Sequence, residues 1–134
     1  GTTTDHVCAF QDFFPTLLEA AGAGDAVPRG LDGLSLVPAL FGGGRQARHE
    51  HLYWEYKDYG GQQAALWGDW KAVRQNLLKD PTAPIELYDL AADPGETRDL
   101  AADKPDVVKR LREIMRAEHR PSEVFPFPAL DAGK

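Results

Sequence analysis

The tightest constraint on this chain lies in "QQAALWGDWKAVRQN", Gln62 to Asn76. Trp67 and Trp70 flank Gly68-Asp69, a two-residue loop with glycine first, as a type II′ turn requires. The pair therefore predicts a hairpin with Trp67 opposite Trp70 and the chain running back as "WKAVRQN". A hairpin is marginal alone and calls for neighbouring strands. Upstream, from His51, the period is two: Leu52, Trp54 and Tyr56 share one face, and His51, Tyr53 and Glu55 the other. Downstream, past the loop "KDPTAP", "IELYDL" reads as a fourth strand.

Helical periods flank the strands. Phe10, Phe13, Phe14, Leu17, Leu18 and Ala21 recur at three and four, the stripe of an amphipathic helix. Asp12 is expected to cap it and Gly22 to end it, and Pro15 confines the regular part to about 12–21. The stretch from Ala23 to Gly44 is rich in Gly and Pro and reads as a long excursion, with one helical turn in "SLVPAL". A second helix, over about 104–119, has Asp103 as N-cap and buries Val107, Val108, Leu111, Ile114 and Met115. Arg116, His119 and Arg120 sit where they favour the C-terminal dipole, and Pro121 stops the helix. The tail "SEVFPFPAL" is aperiodic and expected to lie extended over the surface. The layout is α+β: a four-stranded antiparallel meander with the long C-terminal helix packed on it, preceded by a helix and a loop.

Composition excludes some classes. The 134 residues hold 21 acids against 15 bases, a net charge of -6, with none of the basic surplus of a nucleic-acid binder. No apolar run approaches the roughly 20 residues that cross a bilayer. The opening "GTTTDHVCAF" lacks the basic and apolar regions of a signal peptide. A chain opening on Gly-Thr-Thr-Thr is expected to be a piece of something longer.

No set of residues completes a catalytic constellation. Cys8, the single thiol, has apolar neighbours and reads as buried and inert. His49 and His51 make an H-x-H pair, which is either half a metal site or a solvated strand start; a metal needs three or four converging ligands. Asp89, Asp93 and Glu96 lack calcium-loop spacing, and their Pro-Gly neighbours are turn chemistry. Lys71 shares a face with Val73, opposite Trp70 and Ala72, and is expected to meet water. Tyr53, Trp54, Tyr56, Tyr59, Trp67 and Trp70 fit either a core or a sugar-stacking wall.

The motifs in order, "DHVCAFQDFFPTLLEAAGA", "GLDGLSLVPALFGG", "HLYWEY", "GGQQAALWGDWKAVR", "IELYDLAADPGETRDLAADKPDVVKRL" and "AEHRPSEVFP", resemble the C-terminal part of a type I sulfatase of the alkaline-phosphatase superfamily. The resemblance implies that residues 1–48 end a large α/β sulfatase domain and that 49–134 form the C-terminal subdomain on one rim of the substrate cleft. It implies calcium and a cysteine-derived formylglycine in the parent enzyme and neither here. Cys8 is followed by Ala9, Phe10, Gln11 and Asp12, without the Pro and Arg of C-x-P-x-R, and no position matches the calcium ligands. The catalytic lysine belongs upstream, so this segment alone is expected to be inactive. Relatives often carry an arginine where this chain has Leu66.

On the same resemblance, the non-sulfate part of a sulfated small molecule or glycan would meet His51, Trp54, Glu55, Tyr59 and Gln63. The partner is the large catalytic domain, with self-association of the isolated segment because its Phe-rich helix lacks a cover. The family suggests a periplasmic or secreted location. A related phosphodiesterase or phosphonate hydrolase tail, and a non-catalytic glycan-binding or scaffold module, are the competing readings.

Overall fold

The computed structural model describes residues 1–131, which divide into two compact units, 1–50 and the described residues from 51 onward. The expected boundary after residue 48 lies two residues earlier.

In the first unit a single 3-10 turn, Phe10–Asp12, leads into α1, Phe13–Ala20. Gly22, at φ 76°, closes the helix as expected: its N–H reaches Glu19 O, and Ala23 N–H reaches Leu18 O at 2.8 Å. "SLVPAL" supplies α2, Val37–Phe41. Asp12 occupies the N-cap position of α1 as expected, but its side chain makes no cap bond to that helix. Its carboxylate is buried and accepts from Ala9 N–H and Leu34 N–H, each at 2.7 Å, and lies 2.8 Å from His49 Nε2. Thr16 continues the tie, since Leu36 N–H donates to its hydroxyl at 2.9 Å. One acid thus fastens the 3-10 turn, the loop before α2 and His49 together.

The apolar stripe of α1 faces outward. Phe10 is 87% exposed, Leu17 64%, and Phe13 and Phe14 about half, while Pro15 and Thr16 on the other side are buried. Cys8 is also exposed, against its expected burial. Burial was inferred from its apolar neighbours, but Val7 and Phe10 are exposed too, and Ala9 alone of the three is buried.

In the second unit β1 (Leu52–Tyr56), β2 (Gln62–Trp67), β3 (Trp70–Arg74) and β4 (Glu86–Asp89) form an antiparallel meander in chain order. Trp67 pairs with Trp70 across the hairpin, and Gly68 has the positive φ, 58°, that the turn needs. α3 (Pro105–Glu118) packs on one face. Ala65, Ala72, Leu87, Val108, Leu111, Ile114 and Met115 form the core there, with Tyr53, Trp67 and Trp70 against it. Two small alanines at the centre of the sheet let a helix with bulky apolar residues approach closely. The outer edge of β4 is partly covered, because Leu87 N–H donates to Asp99 and Leu100 N–H to Leu87 O.

Three local expectations are corrected. The N-cap of α3 is Lys104 with no side-chain cap bond, and Asp103 instead pairs with Arg98 at 3.2 Å. His119 does not sit on the helix dipole in solvent; it is buried beyond the last turn. The tail is not extended throughout: Phe127 is fully buried against Leu77 and Ala83, and Pro128–Asp131 forms a short helix, α4. Aperiodic sequence hid this because one aromatic anchor needs no repeat.

Candidate functional site

The polar centre of the second unit lies where β1, β2, the end of α3 and α4 converge. His119 Nδ1 is 2.6 Å from Glu55 Oε1, and its Nε2 is 3.0 Å from Asp131 Oδ1. The Tyr53 hydroxyl donates to the same Glu55 oxygen and accepts from Gln63 Nε2 at 2.8 Å. Burial, and then the bond to Glu55, push that hydroxyl above its ordinary value, so it remains a neutral donor. Gln63 Oε1 in turn faces Arg74 Nη1 at 3.4 Å. Alternation on the strands makes this possible, since Tyr53, Glu55, Gln63 and Arg74 all point to the α3 face.

The five predicted site residues do not form one cluster. Glu55 and Gln63 belong to the interior network just described. Gln63 is 3% exposed, and its polar atoms face Tyr53, Met115 O and Arg74. His51 pairs with Glu118 at 3.1 Å, and its Nδ1 is buried without a hydrogen-bond partner. Trp54 occupies the sheet face away from α3 and is exposed. Tyr59 is the most open, at φ 52° in the loop after β1, with its ring 6.1 Å from that of Tyr56. The aromatics therefore split: Tyr53, Trp67 and Trp70 pack on the core, whereas Trp54, Tyr56 and Tyr59 are solvent-facing.

The remaining candidates resolve into structure. His49 serves Asp12 and is not a solvated strand start. Lys71 meets Glu96 at 2.6 Å on the far face of the sheet. Asp93 is a turn acid: hydrogen bonds from Arg98 N–H and from Thr97 outweigh desolvation and hold its carboxyl below the usual range. Among the described residues no group of three or more His, Cys, Asp or Glu is arranged to hold a metal. Sequence reasoning missed His119, Asp131 and Arg74 as members of one cluster. The signal for His119 was its place at a helix end, directly before an aperiodic tail.

The meander and its helix spend most of their interior polar groups on one another, His51 Nδ1 excepted. Comparison with known proteins gives the family. The family described as N-sulphoglucosamine sulphohydrolase, C-terminal, matches residues 1–120, and the chain belongs to it, within the alkaline-phosphatase superfamily. Arylsulfatase K of Xenopus laevis is 29% identical over 127 residues, covering 87% of this chain and 23% of that protein. The chain thus spans about a quarter of the length of such curated relatives. Among solved structures, BT4656, in complex with its substrate D-glucosamine-2-N,6-O-disulfate, superposes with a TM-score of 0.61 at 26% identity, over 79% of this chain and 22% of that one. The phosphonate monoester hydrolase of Agrobacterium radiobacter gives 0.61 at 28% identity, over 87% and 26%.

Proposed function

We propose that this chain is the C-terminal module of an enzyme that hydrolyses sulfate esters, and that it braces a large catalytic domain and borders its substrate cleft. The carrying observation is the family match over residues 1–120, joined to relatives about four times as long. The exposed face of α1 and the turn before it fits the proposal: Phe10 of the turn and Phe13, Phe14 and Leu17 of the helix call for a cover, and the large domain of the same parent would supply it.

The chemistry would reside outside these residues. Formylglycine and calcium would supply the parent with a nucleophile and with charge stabilisation at sulfate. Nothing in this chain fits either group: Cys8 lacks the C-x-P-x-R context, and the described acids and histidines form no metal group. What this chain would contribute is shape. Trp54 and Tyr59 present open ring faces for the non-sulfate part of a sulfated small molecule or glycan, and His51 adds a polar group. Glu55 and Gln63 would act as positioning residues through Tyr53 and His119. The family's periplasmic or secreted setting carries over as part of the same proposal.

The similarity to the Agrobacterium enzyme keeps a phosphonate or phosphodiester hydrolase as the second reading. The test is the longer parent protein assayed on aryl sulfates and on phosphonate and phosphate esters. Preference for sulfate supports the first reading; preference for phosphorus esters replaces it with the second. Trp54→Ala and Tyr59→Ala should raise KM for a glycan sulfate more than they lower kcat, and unchanged KM in both would remove the two rings from the cleft.

A further inference from the structure

A cavity of about 480 Å3, within the usual range for small-molecule sites, lies between the second half of α3, the β2–β3 strands and α4. Arg112 and Arg116, four residues apart and so on one face of α3, line it together with Arg74 of β3. Neither Arg112 nor Arg116 has a hydrogen-bond or ion-pair partner among the described residues. Arg74 is held in place by neutral oxygens, with Nε donating to Ala83 O at 3.1 Å and Nη2 to Pro81 O at 2.7 Å. Burial, and after it the nearby Arg112 charge, pushes the Arg74 guanidinium below its ordinary value against the opposing charge of Asp80. Glu113 is the carboxylate on the cavity wall. The wall itself holds three arginines against one acid, with Glu55 and Asp131 engaged by His119 and Asp80 acting on Arg74.

The rest of the wall is mixed. Gln63 and His119 are polar, and Met115 with Ala129 and Leu130 of α4 gives it an apolar part. Two free guanidinium forks beside an apolar surface match a ligand with an oxyanion head and a body of low polarity. We infer that this cavity is a second binding site, for a small amphipathic oxyanion such as a sulfate monoester. Its head is taken by Arg112 and Arg116, and its body lies on Met115, Ala129 and Leu130. The site is separate from the ester hydrolysis proposed for the parent, whose machinery this chain lacks.

The experiment titrates the isotope-labelled 134-residue chain with 4-nitrophenyl sulfate, inorganic sulfate and neutral 4-nitrophenyl glucoside, followed by NMR. Saturable shifts centred on Arg74, Arg112, Arg116 and Leu130 are expected with the aryl sulfate, and at least about tenfold weaker binding of the glucoside. Tighter binding of the aryl ester than of inorganic sulfate supports the apolar wall; equal binding overturns its role. Arg112→Ala with Arg116→Ala should weaken the aryl sulfate at least about tenfold without moving the melting temperature, because both side chains are exposed. Arg112→Lys with Arg116→Lys should recover part of the loss. Shifts that map elsewhere, no saturation, or unchanged binding by the alanine pair would overturn the site. None of these results bears on the parent's ester hydrolysis, so the two proposals fail separately.

Discussion

His119 Nδ1 lies 2.6 Å from Glu55 Oε1, joining the residue just past α3 to the first strand of the sheet across 64 positions of sequence. Its other nitrogen reaches Asp131, so one ring holds a strand and the tail helix at once. His119→Ala removes one partner from each of the two carboxylates in a site only 3% exposed at the histidine. We expect a loss of about 1.5–3 kcal/mol in urea unfolding, the range for hydrogen bonds to charged groups. A loss below about 0.5 kcal/mol would show that the network is incidental.

Phe127 tests the same corner through packing. It is fully buried with Leu77 and Ala83, and a side chain there closes the second, smaller core. Phe127→Ala should cost about 3 kcal/mol, or less if the void collapses. Hydrogen exchange at Leu77 N–H, which bonds to Gly61 O at 3.0 Å, should accelerate. Unchanged protection there would return the tail to an idle surface strand.

Asp12 gives the first unit an acid limit. Burial works to raise its carboxyl, but the Ala9 and Leu34 N–H groups and His49 prevail and hold it below the ordinary 3.8. The unfolded chain therefore takes up this proton first as pH falls. The contribution is whole above the ordinary value and is lost as pH drops through the lowered folded one. Melting of the wild type should fall more steeply than that of Asp12→Asn between about pH 5 and pH 2. Parallel curves would remove Asp12 from the account.

The outward stripe of α1 predicts behaviour in solution. With Phe10, Phe13, Phe14 and Leu17 open, the chain by itself should self-associate, and sedimentation should show species above monomer. Phe13→Ser with Leu17→Ser should move the population toward monomer. A monomeric wild type would count against an uncovered docking face.

Lys71 is the contrasting case. Its pair with Glu96 is about one-third exposed on both sides, so solvent screens it. Lys71→Ala should cost under about 1 kcal/mol in the same urea measurement. A larger loss would mean that the far face of the sheet has a role beyond the one described.

Much of the second unit was legible from local pattern. Strict alternation around Trp67-Gly68-Asp69-Trp70 set the hairpin, its register and the side chains turned toward α3. The stripe from Val108 to Met115 placed α3 within a residue or two. Errors fell where a residue's partner is distant in sequence. Asp12 looked like a cap because a cap needs only its own helix, whereas its partners include Leu34 and His49. His119 looked like a dipole partner for the same reason, whereas its ring meets Glu55 64 positions away.

Sequence by itself determined the four strands, the two main helices, their order, the register of the central hairpin and the likeness to a sulfatase C-terminal part, since each follows from short-range periodicity, turn chemistry or ordered motifs. Only the tertiary structure decided which polar groups are spent on one another and which stay open. It turned Glu55, Gln63 and His119 into an interior network, left Trp54 and Tyr59 exposed, and set three arginines around one cavity. The physical reason is that hydrogen bonds and charge act through space over a few ångströms, and the fold alone determines which residues come that close.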